Sequence, residues 1–85
     1  MEKPFHINIL TPERKVFEGE IVSLVVPAAL GYLGILADHA PLAASLKAGK
    51  IIFKGKSGEQ TVLYNKDRGF LEVAANKVTV LLDSA

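Results

Sequence analysis

The sequence predicts an all-β fold: a β-sandwich of about nine to ten short, mostly antiparallel strands in a single domain over residues 1–85. Three observations carry that prediction. Apolar residues recur with a period of two, residues that reverse a chain punctuate the runs at short intervals, and helical spacing never persists for two turns. Short strands at short spacing, with no linker, repeat or low-complexity segment between them, give a sandwich or barrel rather than an α/β fold. A chain of 85 residues is one domain and buries only about two-thirds of its unfolded surface.

The first strand is read from Phe5-His6-Ile7-Asn8-Ile9-Leu10, where Phe5, Ile7 and Ile9 fall on one face and His6 and Asn8 on the other. Thr11-Pro12 ends it, and runs over 13–18 and 20–27 follow, separated by Glu18-Gly19. Pro27 to Gly31 supplies the next reversal before runs over 32–36 and 42–47. Ala48-Gly49, Lys56-Ser57-Gly58, Asn65 to Asp67 and Ala75-Asn76 then delimit runs over 49–55, 59–64, 68–74 and 77–82. In these later runs Ile51 and Phe53, Leu71 and Val73, and Val78 and Val80 form the expected core face. Phe70 and Leu81 fall on the opposite face, where a solvated sheet ordinarily carries polar side chains, so a partner surface and slack alternation both remain open.

Composition excludes several function classes. Ten Lys and Arg against nine Asp and Glu leave a net charge of +1, which gives no electrostatic reason to expect nucleic acid or an anionic membrane as ligand. The absence of cysteine excludes disulfide and thiol chemistry and fits a reducing compartment. The opening MEKPFHINIL has no continuous apolar core or cleavage pattern, so no export is expected and the cytoplasm is the default location. The longest uncharged run, Ile21 to Ala37, is 17 residues and contains Pro27, Gly31 and Gly34; it falls short of the ~20 residues of a spanning helix and reads as strands and loop.

The chemical motifs are sparse. His6 and His39 are the only histidines, their spacing builds no metal site, and no cofactor is expected. Asp38-His39 has the composition of an oriented general base, but neighbours on an extended chain point apart and no nucleophile motif accompanies them. Gly49 to Ser57 superficially resembles a phosphate loop, yet five residues separate Gly49 from Gly55 where the motif takes four, and no helix pattern follows. Glu18 and Glu20 have no second acidic cluster with which to form an acid–base couple. Lys66, at a turn between strands, is placed like the modified lysine of lipoyl or biotinyl carrier domains, although its flanks match neither attachment motif. Binding or assembly is favoured over catalysis.

The stretch GYLGILADHAPLAASL, residues 31–46, carries the most specific resemblance. Gly31, Leu33, Gly34, Ile35, His39, Ala40, Pro41 and Leu42 match a loop of the form G-[acid]-[LI]-G-[IV]-x-P-G-H-A-P-L, supported by Phe17-Glu18-Gly19, by Gly69-Phe70-Leu71-Glu72-Val73, and by the ending Val78 to Ala85. Over almost its whole length the chain resembles the N-terminal β-sandwich domain of the epsilon subunits of F-type ATP synthases. The resemblance implies a non-catalytic rotor subunit at the foot of the central stalk, peripheral to the cytoplasmic face of an energy-transducing membrane. Its implied partners are the gamma subunit and the ring of c subunits. Carried over by position, the gamma-facing residues are His39, Leu42, Ala44, Phe70, Glu72, Thr79 and Leu81. The ring-facing loop is Ala28, Ala29, Leu30, Gly31, Tyr32 and Leu33, with Gly31, Gly34, Pro41 and Gly69 as turn residues. Tyr32 stands where the family has an acid, Ala37-Asp38 where it has Pro-Gly, and Asp67-Arg68-Gly69 where it has Ser-Gly-Gly. In most members a helical hairpin follows the sandwich and carries inhibition of ATP hydrolysis and, in some, ATP binding; these 85 residues are expected to do neither.

Overall fold

A computed structural model describes residues 3–83; Met1 and Glu2 of the opening, and Ser84 and Ala85 of the ending quoted above, lie outside the described residues. Among the described residues eight strands and no helix are formed: β1 (Phe5–Leu10), β2 (Lys15–Ala28), β3 (Gly31–Ile35), β4 (Leu42–Leu46), β5 (Gly49–Gly55), β6 (Gln60–Asn65), β7 (Gly69–Ala74) and β8 (Lys77–Leu82). They run in the order β1-β8-β7-β4-β2-β5-β6, with β3 alongside β2 and a further pairing of β1 with β2. One layer is therefore β1-β8-β7-β4 and the other β3-β2-β5-β6, joined where β2 meets β1 and where Ala28 meets Leu46. All the pairings are antiparallel except that of β1 with β8.

The strand count departs from the sequence expectation at one place. The runs over 13–18 and 20–27 are a single strand, because Glu18 and Gly19 lie in ladder register opposite Asn8 and Ile7 instead of turning. Pairing with β1 overrides the turn preference of Glu-Gly. The true irregularity comes two residues later, as a bulge between Ile21 and Ser23 against β5. It shifts the inward set of β2 from Phe17, Gly19 and Ile21, opposite Ile9, Ile7 and Phe5, to Leu24 and Val26. That change of phase lets one strand serve both layers, and it buries Ile21 and Val22 in succession.

The core is the one that the alternation predicts. Phe5, Ile7, Ile9, Ile51, Phe53, Leu71, Val73, Val78 and Val80 are all buried, joined by Leu24, Val26, Ile35, Leu46 and Leu82. Phe17 and Phe53 pack with centroids 4.7 Å apart and planes tilted by 41°, a favoured aromatic geometry. Asn65 is the buried polar residue; its Nδ2 donates to the carbonyls of Lys47 at 2.9 Å and Asp67 at 3.2 Å, fastening the end of β6 to the turn before β5.

Candidate docking face

Register decides which side chains share the outer surface of the β1-β8-β7-β4 layer, since paired residues in a sheet project to the same side. Leu10 pairs with Leu81, Leu81 with Phe70 and Phe70 with Ser45, forming one row across four strands. Asn8, Thr79, Glu72 and Ala43 form the next row. Phe70 and Leu81, 43% and 47% exposed, thus stand directly opposite each other as an apolar pair on a solvated face. An open groove of about 640 Å³ runs beside them, lined by Leu10, Thr11, Pro12 and Arg68 among others.

Four of the residues read as gamma-facing, namely Phe70, Glu72, Thr79 and Leu81, lie on this outer face. Leu42 and Ala44 do not: they pair with Val73 and Leu71, both buried, and pack against the core. In LAASL both parities are small or apolar, so the alternation alone leaves the inward set of β4 undetermined; Leu46, the buried end of the strand, sets it. The outer face is represented on β4 by Ala43 and Ser45, and on β1 by Leu10. Leu10 was findable, because it continues the outward series His6, Asn8.

His39 lies beyond the start of β4, at the opposite end of the layer from the Phe70–Leu81 row. Its Nδ1 donates to the carbonyl of Ala40 at 2.8 Å. Asp38 turns elsewhere: its carboxylate accepts from Lys3 Nζ at 3.1 Å and from Asn76 Nδ2 at 2.9 Å, and its N–H donates to Asn76 Oδ1. These bonds hold its carboxyl below the usual aspartate range, Asn76 contributing most and Lys3 next. Asp38 and His39 are thus engaged separately and form no acid–base pair. Glu18, held low by Lys15 and then His6, and Glu20, 3.3 Å from Lys56, are likewise neutralised one by one.

The Ala28 to Leu33 segment is the β2–β3 hairpin, with Ala29 and Leu30 at its tip. The N–H of Ala29 donates to Ser45 O at 3.0 Å and that of Lys47 to Pro27 O at 2.8 Å, so its base is bolted to β4 at the Phe70 end of the layer. Leu30 is fully exposed; Tyr32 is exposed too, but its hydroxyl accepts from the N–H of Lys50 at 3.2 Å. Between the hairpin and β4 lies a second groove, about 520 Å³, in which Leu33, Leu42 and Ala44 show.

Among the turn residues, Gly31 sits at the hairpin corner with φ +135°, a conformation that side-chain-bearing residues rarely adopt. Gly34 is not a turn residue: it pairs with Val25 inside β3, because the hairpin has already closed at Ala28 and Gly31. Pro41 directly precedes β4. Gly69 opens β7 and is required by proximity, since a Cβ there would lie 2.6 Å from Leu81 O. Lys66 is exposed between β6 and β7, as a turn lysine. Among the described residues no cluster of His, Asp and Glu has the arrangement of a metal site, and no helix is long and apolar enough to cross a membrane.

Residues 4–85 match the profile of the family described as ATP synthase, Delta/Epsilon chain, beta-sandwich domain. The chain belongs to this ATP synthase delta/epsilon family. The ATP synthase epsilon chain of Dichelobacter nodosus is 44% identical over 85 residues, all of this chain and 59% of that one. That of Natranaerobius thermophilus is 40% identical over 83 residues, 98% of this chain and again 59% of the relative. The chain therefore spans about three-fifths of the length of these relatives. The fold is that of a chain in the mitochondrial ATP synthase of Euglena gracilis, solved with OSCP, F1 and c-ring, at a TM-score of 0.89 and 14% identity over 95% of this chain and 51% of that chain. A chain of the central stalk and c-ring structure from Tetrahymena thermophila superimposes at a TM-score of 0.75 with 12% identity, covering 95% and 64%. Membership in the delta/epsilon family leaves the carrier-domain reading of Lys66 without support.

Proposed function

We propose that this domain is a non-catalytic docking element of the central stalk of an ATP synthase, binding the gamma subunit on the outer face of β7 and β8 and resting on the c ring through the β2–β3 hairpin. The observation that carries this reading is the Phe70–Leu81 pair, an apolar contact centre with Glu72 and Thr79 as its polar rim, in a chain of the delta/epsilon family. Pairing across the ladder holds both side chains in place before binding, so little ordering entropy is lost on contact. The hairpin lies at the same end of the layer and is pinned to β4 by two main-chain hydrogen bonds, so load applied at Leu30 passes into backbone already paired. With Tyr32 in place of an acid, the ring contact becomes apolar, made by Leu30 and Tyr32. The domain is then peripheral to the membrane, on its cytoplasmic side, and holds no substrate of its own.

Phe70→Asp tests the assignment. A contact centre of this kind loses roughly thirtyfold in affinity for gamma when a charge replaces the ring, while circular dichroism and thermal melting stay close to the parent because the side chain is exposed. Unchanged affinity in a calorimetric titration with gamma removes the face from the reading. Failure of the parent chain to recover gamma and c subunits from native membranes at low salt removes the function.

A further inference from the structure

The sheet ends at β6 (Gln60–Asn65), whose neighbour among the described residues is β5 alone. Its sequence, QTVLYN, has no charge, no proline and no glycine, and its pairing with β5 is continuous; the devices that usually keep an edge strand from pairing are missing. The hairpin fixes its polarity. Gly55 N–H donates to Glu59 O at 2.9 Å and Gly58 N–H to Gly55 O at 3.0 Å, making Gly55 and Glu59 a hydrogen-bonded pair. Antiparallel ladders alternate, so Phe53–Thr61 and Ile51–Leu63 exchange the next bonds, and Gln60, Val62 and Tyr64 turn their N–H and C=O groups outward. The same three residues share the outer face with Lys50, Ile52 and Lys54, and there Val62 is 40% and Tyr64 62% exposed.

We propose that this edge pairs antiparallel with β6 of a second copy of the chain, across a two-fold axis at Val62, joining the two β3-β2-β5-β6 layers into one sheet. A two-fold axis normal to the sheet keeps each face on its own side, and paired residues share a face, so residues pair only with residues of the same parity. Of the registers that satisfy this, one alone pairs all three outward residues among themselves: Val62 meets Val62, Gln60 meets Tyr64, and Glu59 stands opposite Asn65, next to Lys66. An axis at Leu63 leaves Gln60 opposite Lys66 and sets Glu59 against Asp67, two like charges, and an axis at Thr61 leaves Tyr64 opposite Gly58 and sets Lys56 against Lys66. Full pairing and charge select the axis at Val62. The uncharged strand, with an acid at its start and a base at its end, is its own antiparallel complement, which favours a second copy over an unrelated acidic or basic strand. The outer face of β7 and β8 stays open, so self-pairing does not rest on the gamma assignment.

Sedimentation of the chain over a concentration series, with Val62→Lys and Val62→Glu, decides the matter. The parent is expected to show a monomer–dimer equilibrium, and each variant alone to dimerise about tenfold more weakly, since the axis sets like charges face to face. A one-to-one mixture of the two variants restores the dimer, and Phe70→Asp leaves self-association unchanged. A parent that remains monomeric near millimolar concentration overturns the proposal, as do variants that dimerise like the parent or a mixture no stronger than its components. Hydrogen exchange on the parent needs no variant: the amides of Gln60, Val62 and Tyr64 gain protection as concentration rises, and constant exchange there overturns the pairing.

Discussion

Asp38 carries φ +63°, a left-handed conformation that aspartate tolerates better than most residues. Its bonds to Asn76 and Lys3 hold its carboxyl below the ordinary value of 3.8. A carboxyl depressed in the folded state contributes stability that is present above its unfolded pKa and is lost as the pH falls through the folded one. Asp38→Asn keeps the backbone preference and removes the charge. Its melting temperature is therefore expected below that of the parent by a constant amount from roughly pH 5 upward, with the gap closing in acid below about pH 3.8; thermal scans against pH measure it. Gly69 is the second residue on which the local structure turns. Its added methyl would meet the Leu81 carbonyl at 2.6 Å and Leu82 Cδ2 at 2.9 Å, so Gly69→Ala is expected to cost about 1–3 kcal/mol in urea unfolding. The glycine pattern is visible in the sequence, but its cause is not: nothing local to Asp67-Arg68-Gly69 announces a strand crossing at van der Waals contact.

At the scale of elements, the β7–β8 hairpin shows what short-range sequence conveys. Ala75 and Asn76 have φ +51° and +59° between the paired residues Ala74 and Lys77, the signature of a type I′ turn. Asn76 suits it and Ala75 does not, since a Cβ in the left-handed region costs ~1–2 kcal/mol. Ala75→Gly is expected to stabilise the domain by about 0.5–1 kcal/mol, part of the relief being offset by the entropy of glycine, and denaturant titration checks it. Alternation located Phe5, Ile7, Ile9, Ile51, Phe53, Leu71 and Val73 in the core, because each strand there has one wet face and one dry face. It failed where that contrast vanishes. β2 changes phase at Ile21–Ser23, and Glu18-Gly19, composed like a turn, is held in the ladder by β1. In β4 both faces are small or apolar, so alternation leaves its inward set open, and Leu42 and Ala44, gamma-facing by the resemblance, fall on the core side. The outer residues Phe70 and Leu81, by contrast, were legible as apolar side chains out of phase with their strands.

The molecule as a whole is closed by the parallel pairing of β1 with β8, in which Ile7 stands beside Val78 and Ile9 beside Val80. Removing residues 77–82 takes away Val78 and Val80 and uncovers three of the largest buried side chains, Ile7, Ile9 and Leu71, which stand beside them. A chain ending at Asn76 is expected to show no cooperative unfolding transition in calorimetry, whereas the parent shows one. Among the described residues, the first strand is therefore held by the last. While the ribosome is still translating β2 to β7, β1 has at most its hairpin with β2, and a lone hairpin is marginally stable in water. Until residue 77 has emerged, the sides of Ile7 and Ile9 that β8 covers stay open, so β1 is a target for chaperones that bind exposed aliphatic segments, and pauses before residue 77 prolong that exposure without advancing folding.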